Sequence, residues 1–221
     1  MHFVHHRIEA APRRWADVAR RLASAKLNGG TLYGVWRSQI GRPRDELQAI
    51  TLWSQETKAA AAEHTLLGGN ADVVCVRSEA LAPTLRPTDA TVPTRQGNYA
   101  FRWFATPEPY WAEFLDLCAA AWPDFEAAYD SQVIGLWQAI DDSTGPSTDD
   151  ATGAGRAGIR SLLLTRRPNL AMWERSKLPE GDKEAKVREQ LSRRYDLCDW
   201  TVVSTSTLLT AMDRTDTARW T

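Results

Sequence analysis

The stretch TLYGVWRSQIG (31–41) returns later in the chain as QVIGLWQAI (132–140). Both are β-branched or aromatic, both are bounded by turn residues, and both read as strands. Gly34-Val35-Trp36 aligns with Gly135-Leu136-Trp137, and the match extends outward from there. Upstream, FVHHRI (3–8) and YAFRWFA (99–105) are strand-like runs, each followed by proline and a helical pattern. Trp15, Val18, Ala19 and Leu22 put one apolar stripe on the first helix; Trp111, Phe114, Leu115 and Cys118 do the same on the second. Downstream, LQAITLWSQ (47–55) and IRSLLLTRR (159–167) are third strands; setting Leu52 against Leu164 places Thr165 opposite Trp53. Helical stretches follow, ETKAAAAEH (56–64) in one half and NLAMWERSK (169–177) in the other. A charged helix around 183–195 reads as a solvated surface helix. Each half closes on an apolar strand, ADVVCVRSE (71–79) and DWTVVSTSTLL (199–209).

The order is β-α-β-β-α-β, twice. One such unit makes a four-stranded antiparallel sheet with both helices on one face, the ferredoxin-like arrangement. Its bare face must be covered, and a tandem copy can do so. The expected fold class is therefore α+β: two tandem ferredoxin-like repeats forming a pseudo-dimeric α+β barrel. The halves are expected over 1–81 and 99–211, with a proline-containing linker at 82–98 and a tail at 212–221. The Asp-rich stretch 141–158 reads as a hairpin extension able to act as a lid.

Composition removes several function classes. Lys plus Arg is 27 against 28 Asp plus Glu, a formal net charge of −1 over 221 residues, so the basic excess of a nucleic-acid binder is missing. The three cysteines are scattered and odd in number, which argues against a disulfide framework and for a reducing, cytoplasmic setting. No apolar run approaches a membrane span, and the opening MHFVHHRIEAAPRR shows no signal-peptide core. No GxSxG, P-loop, HExxH or GxGxxG is present.

The segment GTLYGVWRSQIGRPRDELQAITLWSQETKAAAAEH (30–64) resembles NIPSNAP-type members of the dimeric α+β barrel superfamily, and the second copy is a looser match. The resemblance implies a fused pseudo-dimer with a small apolar cavity between sheet and helices in each half. The superfamily includes cofactor-free oxygenases, haem enzymes, cyclases and isomerases, and fold does not choose among them. In haem-degrading relatives a helical His beyond a strand-end Trp binds iron; Trp53 and His64 are similar, which makes His64 the candidate axial ligand if haem is bound. An exposed His near a helix C-terminus is the alternative.

His6, Arg37 and Tyr33 are the candidate catalytic residues. A histidine on a buried face could act as a general base, a buried arginine could bind a carboxylate or enolate, and a tyrosine could donate to a ligand carbonyl. Trp36, Trp53, Tyr99, Arg102, Trp103, Tyr129 and Trp137 are the candidate ligand-binding residues, large rings and one guanidinium able to shape an aromatic-ligand cavity. The same tryptophans, with Trp15, Trp111, Trp122 and Trp173, read equally as core packing. Three readings stay open: an enzyme acting without metal or nucleotide on an apolar, aromatic or polyketide-like small molecule; a haem enzyme; and a non-catalytic ligand- or partner-binding protein. The expected partner is a small apolar molecule, with no nucleic acid and no membrane, in a monomer or homodimer.

Overall fold

The computed structural model describes residues 1–140, 152 and 156–213. In chain order its elements are β1 (His2–Ala10), α1 (Trp15–Ser24), β2 (Gly30–Ile40), β3 (Glu46–Trp53), α2 (Glu56–Ala60), α3 (Ala62–Leu67) and β4 (Val73–Arg86). The order then repeats as β5 (Asn98–Thr106), α4 (Trp111–Tyr129), β6 (Gln132–Ile140), β7 (Ile159–Arg167), α5 (Leu170–Arg175), α6 (Asp182–Asp196) and β8 (Trp200–Leu208). This is the α+β class with the expected doubled strand-helix order. The strands form one antiparallel sheet in the hydrogen-bonded order β1-β3-β2-β8-β5-β7-β6-β4, and β1 pairs with β4.

Two compact units divide the chain: Met1–Ala82 with Asp89–Gln96 and the residues from Ser204 onward, and Pro83–Thr88 with Gly97–Val203. Strands β4 and β8 each contribute to both. The expected linker at 82–98 therefore gives Pro83–Arg86 to a strand. Proline is tolerated there because β4 needs no ladder donor at every position. Most of the expected hairpin extension at 141–158 lies outside the described residues.

The repeat is visible in a shared irregularity. In β2 the pairing to β3 shifts between Leu32 and Gly34, and in β6 the pairing to β7 shifts between Val133 and Gly135. Each bulge brings a glycine under the ring of the tryptophan two residues on. A Cβ on Gly34 would lie 2.5 Å from the Trp36 ring, and Trp137 covers Gly135 in the same way. A close approach of this kind is what strand glycines serve.

The pairing also corrects the alignment of the third strands. Val4 faces Thr51 and His2 faces Trp53, while Ala100 faces Thr165 and Asn98 faces Arg167. Trp53 thus corresponds to Arg167, not Thr165, and His6 to Arg102. The two-residue error kept every side chain on its correct face, because strand side chains alternate with period two. Hydrophobic pattern alone could not detect it.

In the first unit, α1 lays Trp15, Val18, Ala19 and Leu22 on Ile8, Val35, Leu47 and Ala49, and α3 adds Leu66 and Leu67. In the second, α4 sets Phe114, Cys118, Trp122, Phe125 and Tyr129 against Phe104, Val133 and Leu163. Helix α4 runs through Pro123 and stops at Asp130, whose left-handed φ of 42° turns the chain while its N–H caps Glu126. No helix among the described residues is long and apolar enough to cross a membrane.

Candidate functional site

The second unit carries a cavity of about 320 Å³ between its sheet and its helices. Strands β5, β6 and β7 supply Ala100, Arg102, Val133, Leu163, Thr165 and Arg167 to one wall. Across from them α4 supplies Trp122 and Phe125, the α5 region Trp173 and Lys177, and α6 Arg188, Leu191, Arg194 and Tyr195. Among the described residues, five cationic side chains and not one carboxylate line this space.

Helix α6 decides the chemistry, and the sequence reading of it as a solvated surface helix is overturned. Val187 and Arg194 are buried, and Leu191 and Tyr195 are packed into the apolar cluster. The spacing 187, 191, 194, 195 is the one-face pattern of an amphipathic helix, obscured because charged residues occupy most positions between. Its placement is fixed from both ends. Glu184 accepts two hydrogen bonds from Arg175 at 2.9 and 3.0 Å, and Arg193 pairs with Glu113 of α4 at 2.7 Å.

Arg194 is 3% exposed and its guanidinium sits 5.0 Å from both the Phe104 and Tyr195 rings. Its Nη1 donates to Cys118 Sγ at 3.7 Å, while its Nε is buried with no hydrogen-bond partner. Arg167 lies 4.6 Å from the Trp173 ring and 5.0 Å from Phe125, donates from Nη1 to Thr165 Oγ1 at 3.3 Å, and likewise leaves Nε unpartnered. Arg102 lies 5.1 Å from the Tyr195 ring. Burial pulls Arg167 down to about 10, and burial together with Arg194 and Arg188 lowers Arg102. Burial would raise the Tyr195 phenol, but Arg194, Arg102 and Arg167 outweigh it and bring it below its ordinary value. Guanidiniums this desolvated, with donors unspent, suit an oxyanion.

Of the candidate catalytic and ligand-binding residues Arg102 lines this cavity, and of the wider tryptophan set Trp122 and Trp173 do. His6, Arg37 and Tyr33 lie in the first unit and do not converge. His6 is fully buried, with Nδ1 2.8 Å from Ser78 Oγ and Nε2 3.0 Å from Thr51 Oγ1. Burial lowers it to about 4. Arg37 stacks 3.7 Å over the Trp15 ring, and Tyr33 meets Phe3 edge-on, its phenol pushed up by burial and by Asp89. Trp53 donates to Thr51 Oγ1 at 2.8 Å inside a small core with Val4 and Ala62. Trp36, Tyr99, Trp103 and Trp137 are buried on the strands, and Tyr129 donates to Glu184 at 3.2 Å, outside the cavity lining. His64 is exposed on α3, in a shallow groove with Gly68, Gly69 and Asn70.

No family model matches the chain, and no curated protein matches it in sequence. Solved structures do match. The chain is similar to an anthrone oxidase-like protein (TM-score 0.64, 10% identity, 94% of this chain and 91% of that one). It is similar to a candidate monooxygenase from Lactobacillus acidophilus (TM-score 0.58, 7% identity, 95% and 97%). A haem-binding protein from Thermus thermophilus also matches (TM-score 0.51, 12% identity, 94% and 90%). At these identities the likeness is one of fold alone, an α+β barrel, and it does not show the NIPSNAP-type resemblance in particular.

A haem-binding neighbour makes haem worth testing against the residues present. Among the described residues the exposed His64 has no side-chain hydrogen-bond partner to orient its imidazole, and its groove against Val73–Val76 is shallow. Among its described lining residues the cavity of the second unit offers no histidine, methionine or cysteine, and Tyr195, set among arginines, is its one side chain of a kind that ligates haem iron. Among the described residues no three His, Cys, Asp or Glu side chains gather as a metal site. Neither place presents an oriented histidine for haem.

Proposed function

We propose that the chain is a small-molecule enzyme whose site is the arginine-lined cavity of the second unit, taking a flat aromatic compound that carries or develops negative charge. The observation that carries this is the convergence of Arg102, Arg167, Arg188 and Arg194 on an aromatic-walled cavity with no counter-carboxylate among its described lining residues. Trp122, Phe125 and Trp173 give such a ring its apolar surface, and the guanidiniums give its oxygen a fixed positive field. Formation of an enolate or phenolate on an electron-rich ring is a common entry to oxygenase, cyclase and isomerase chemistry. The fold likeness to an anthrone oxidase-like protein and a candidate monooxygenase supports the same class.

The test is calorimetric titration with 1-hydroxy-2-naphthoate and with the neutral 2-naphthalenemethanol. The anion should bind at least tenfold more tightly, equivalent to about 1.4 kcal/mol, and Arg167→Met should erase that preference. Equal affinity for the two compounds, or a preference untouched in Arg167→Met, would sink the assignment.

A further inference from the structure

Tyr195 is surrounded in a way the proposed reading leaves unused. Its ring sits 5.0 Å from the Arg194 guanidinium and 5.1 Å from that of Arg102, with Phe104 stacked on it at 6.0 Å. The charged groups acting on it are cations from three elements, Arg102 on β5, Arg167 on β7 and Arg194 on α6; Arg188 on α6 and Lys177 after α5 line the same cavity. Cys118 on α4 touches Arg194 and is itself raised by burial, so it stays a neutral thiol. Lys177 is exposed and paired with Glu174 at 2.9 Å. The arginines cannot give up a proton at working pH. Among the described residues the cavity wall has neither histidine nor carboxylate, so the group able to stand there as an anion and accept a proton is the Tyr195 oxygen.

From this juxtaposition we infer that Tyr195 is the catalytic base of the site, and that its substrate class is an enolisable aromatic ketone. The inference rests on the cavity of the second unit being the functional site. In the step, the Tyr195 phenolate forms an O–H bond with the acidic proton of the substrate. The broken C–H pair moves through the conjugated carbon onto the ketone oxygen, giving neutral tyrosine and an enolate. One negative charge leaves the phenol and one appears on the substrate oxygen, so the net charge among the guanidiniums is unchanged. Fixed cations that held the phenolate hold the enolate without reorganising. The proton then returns to the enolate carbon or passes to water. No oxidant enters this step.

Two measurements test it. Ultraviolet titration of tyrosinate in the ligand-free protein should show one of the five tyrosines ionising below the others, and Tyr195→Phe, which keeps the ring stacked, should remove that one component. Exchange of the acidic protons of 2-tetralone for deuterium should be accelerated by the protein, with a pH profile that follows the same ionisation. Tyr195→Phe should lose about a hundredfold or more of that acceleration. A tyrosinate component that survives the substitution, or exchange that is unchanged in the variant or absent in the parent, overturns the role of Tyr195. Naphthoate binding without exchange would leave the site reading standing alone; loss of anion preference in the parent would fell both.

Discussion

The two units share a framework and differ in what fills it. At matched positions facing the helices, the first has Val4, His6, Ala49, Thr51 and Trp53, and the second has Ala100, Arg102, Leu163, Thr165 and Arg167. In the first unit His6 and Trp53 both bond to Thr51, and His6 continues to Ser78 and so to Glu63, a chain that runs from the buried imidazole out to the surface and consumes its own polar atoms. In the second unit guanidiniums replace the imidazole and the indole. They keep charge that no carboxylate among the described lining residues neutralises, and a cavity remains beside them. A satisfied core and an unsatisfied cavity have thus been built on the same strands. Polar groups left unspent in a buried place are costly, and that is where a ligand has something to contribute.

The comparison can be broken most forcefully in the first unit. Trp53 is 2% exposed and lies against Gly30, so Trp53→Ala should cost ~3–5 kcal/mol in urea unfolding. A loss under about 1 kcal/mol would mean that this side of the molecule is not the packed counterpart described above.

The buried histidines give a pH dependence of known sign. His6 is lowered from 6.5 to about 4 and His5, bonded to Gln48 at 3.0 Å, from 6.5 to about 3, in both cases chiefly by burial. The folded state holds them neutral while the unfolded state takes up protons below pH 6.5. Their contribution is therefore complete above that pH and is lost as pH falls toward the folded values. Each histidine should remove about 1.4 kcal/mol per pH unit across that window, to about 3 kcal/mol for His6. Unfolding free energies at pH 7 and pH 5 should show the fall, and His6→Gln should roughly halve it. An equally steep fall in the variant would contradict the burial of a neutral His6.

Giving the second unit the first unit's residue sharpens the contrast with the smallest structural effect. Arg167→Trp removes a desolvated cation and fills space, so stability should change by about 1 kcal/mol or less. Binding of 1-hydroxy-2-naphthoate, in contrast, should weaken at least tenfold, about 1.4 kcal/mol. Retained affinity in a folded variant would show that the anion binds elsewhere.

Much of the fold was legible in the residues. The doubled Gly-x-Trp strands, the two apolar stripes from Trp15 and Trp111, and the final strands are local patterns, and periodicity reports them directly. The site was mostly illegible. Arg102 was read as a candidate because an arginine stood among aromatics on a strand. Arg194 and Tyr195 were missed because α6 has charge on most of its faces, and the apolar signal of Val187 and Leu191 is thin against it. Arg167 was missed because an alignment off by two residues preserves strand facing and leaves no trace in the pattern.

The amino-acid sequence by itself determined the doubled order of elements and the face each side chain takes, since those follow from helix and strand periods. It also determined the presence of arginines without telling which would be desolvated. Only the tertiary structure decided that, because desolvation depends on what lies across the gap. Strands β5 and β7 bring two arginines to one face, α6 lays a third and a tyrosine over them, and burial then turns ordinary surface chemistry into a fixed field around a phenol.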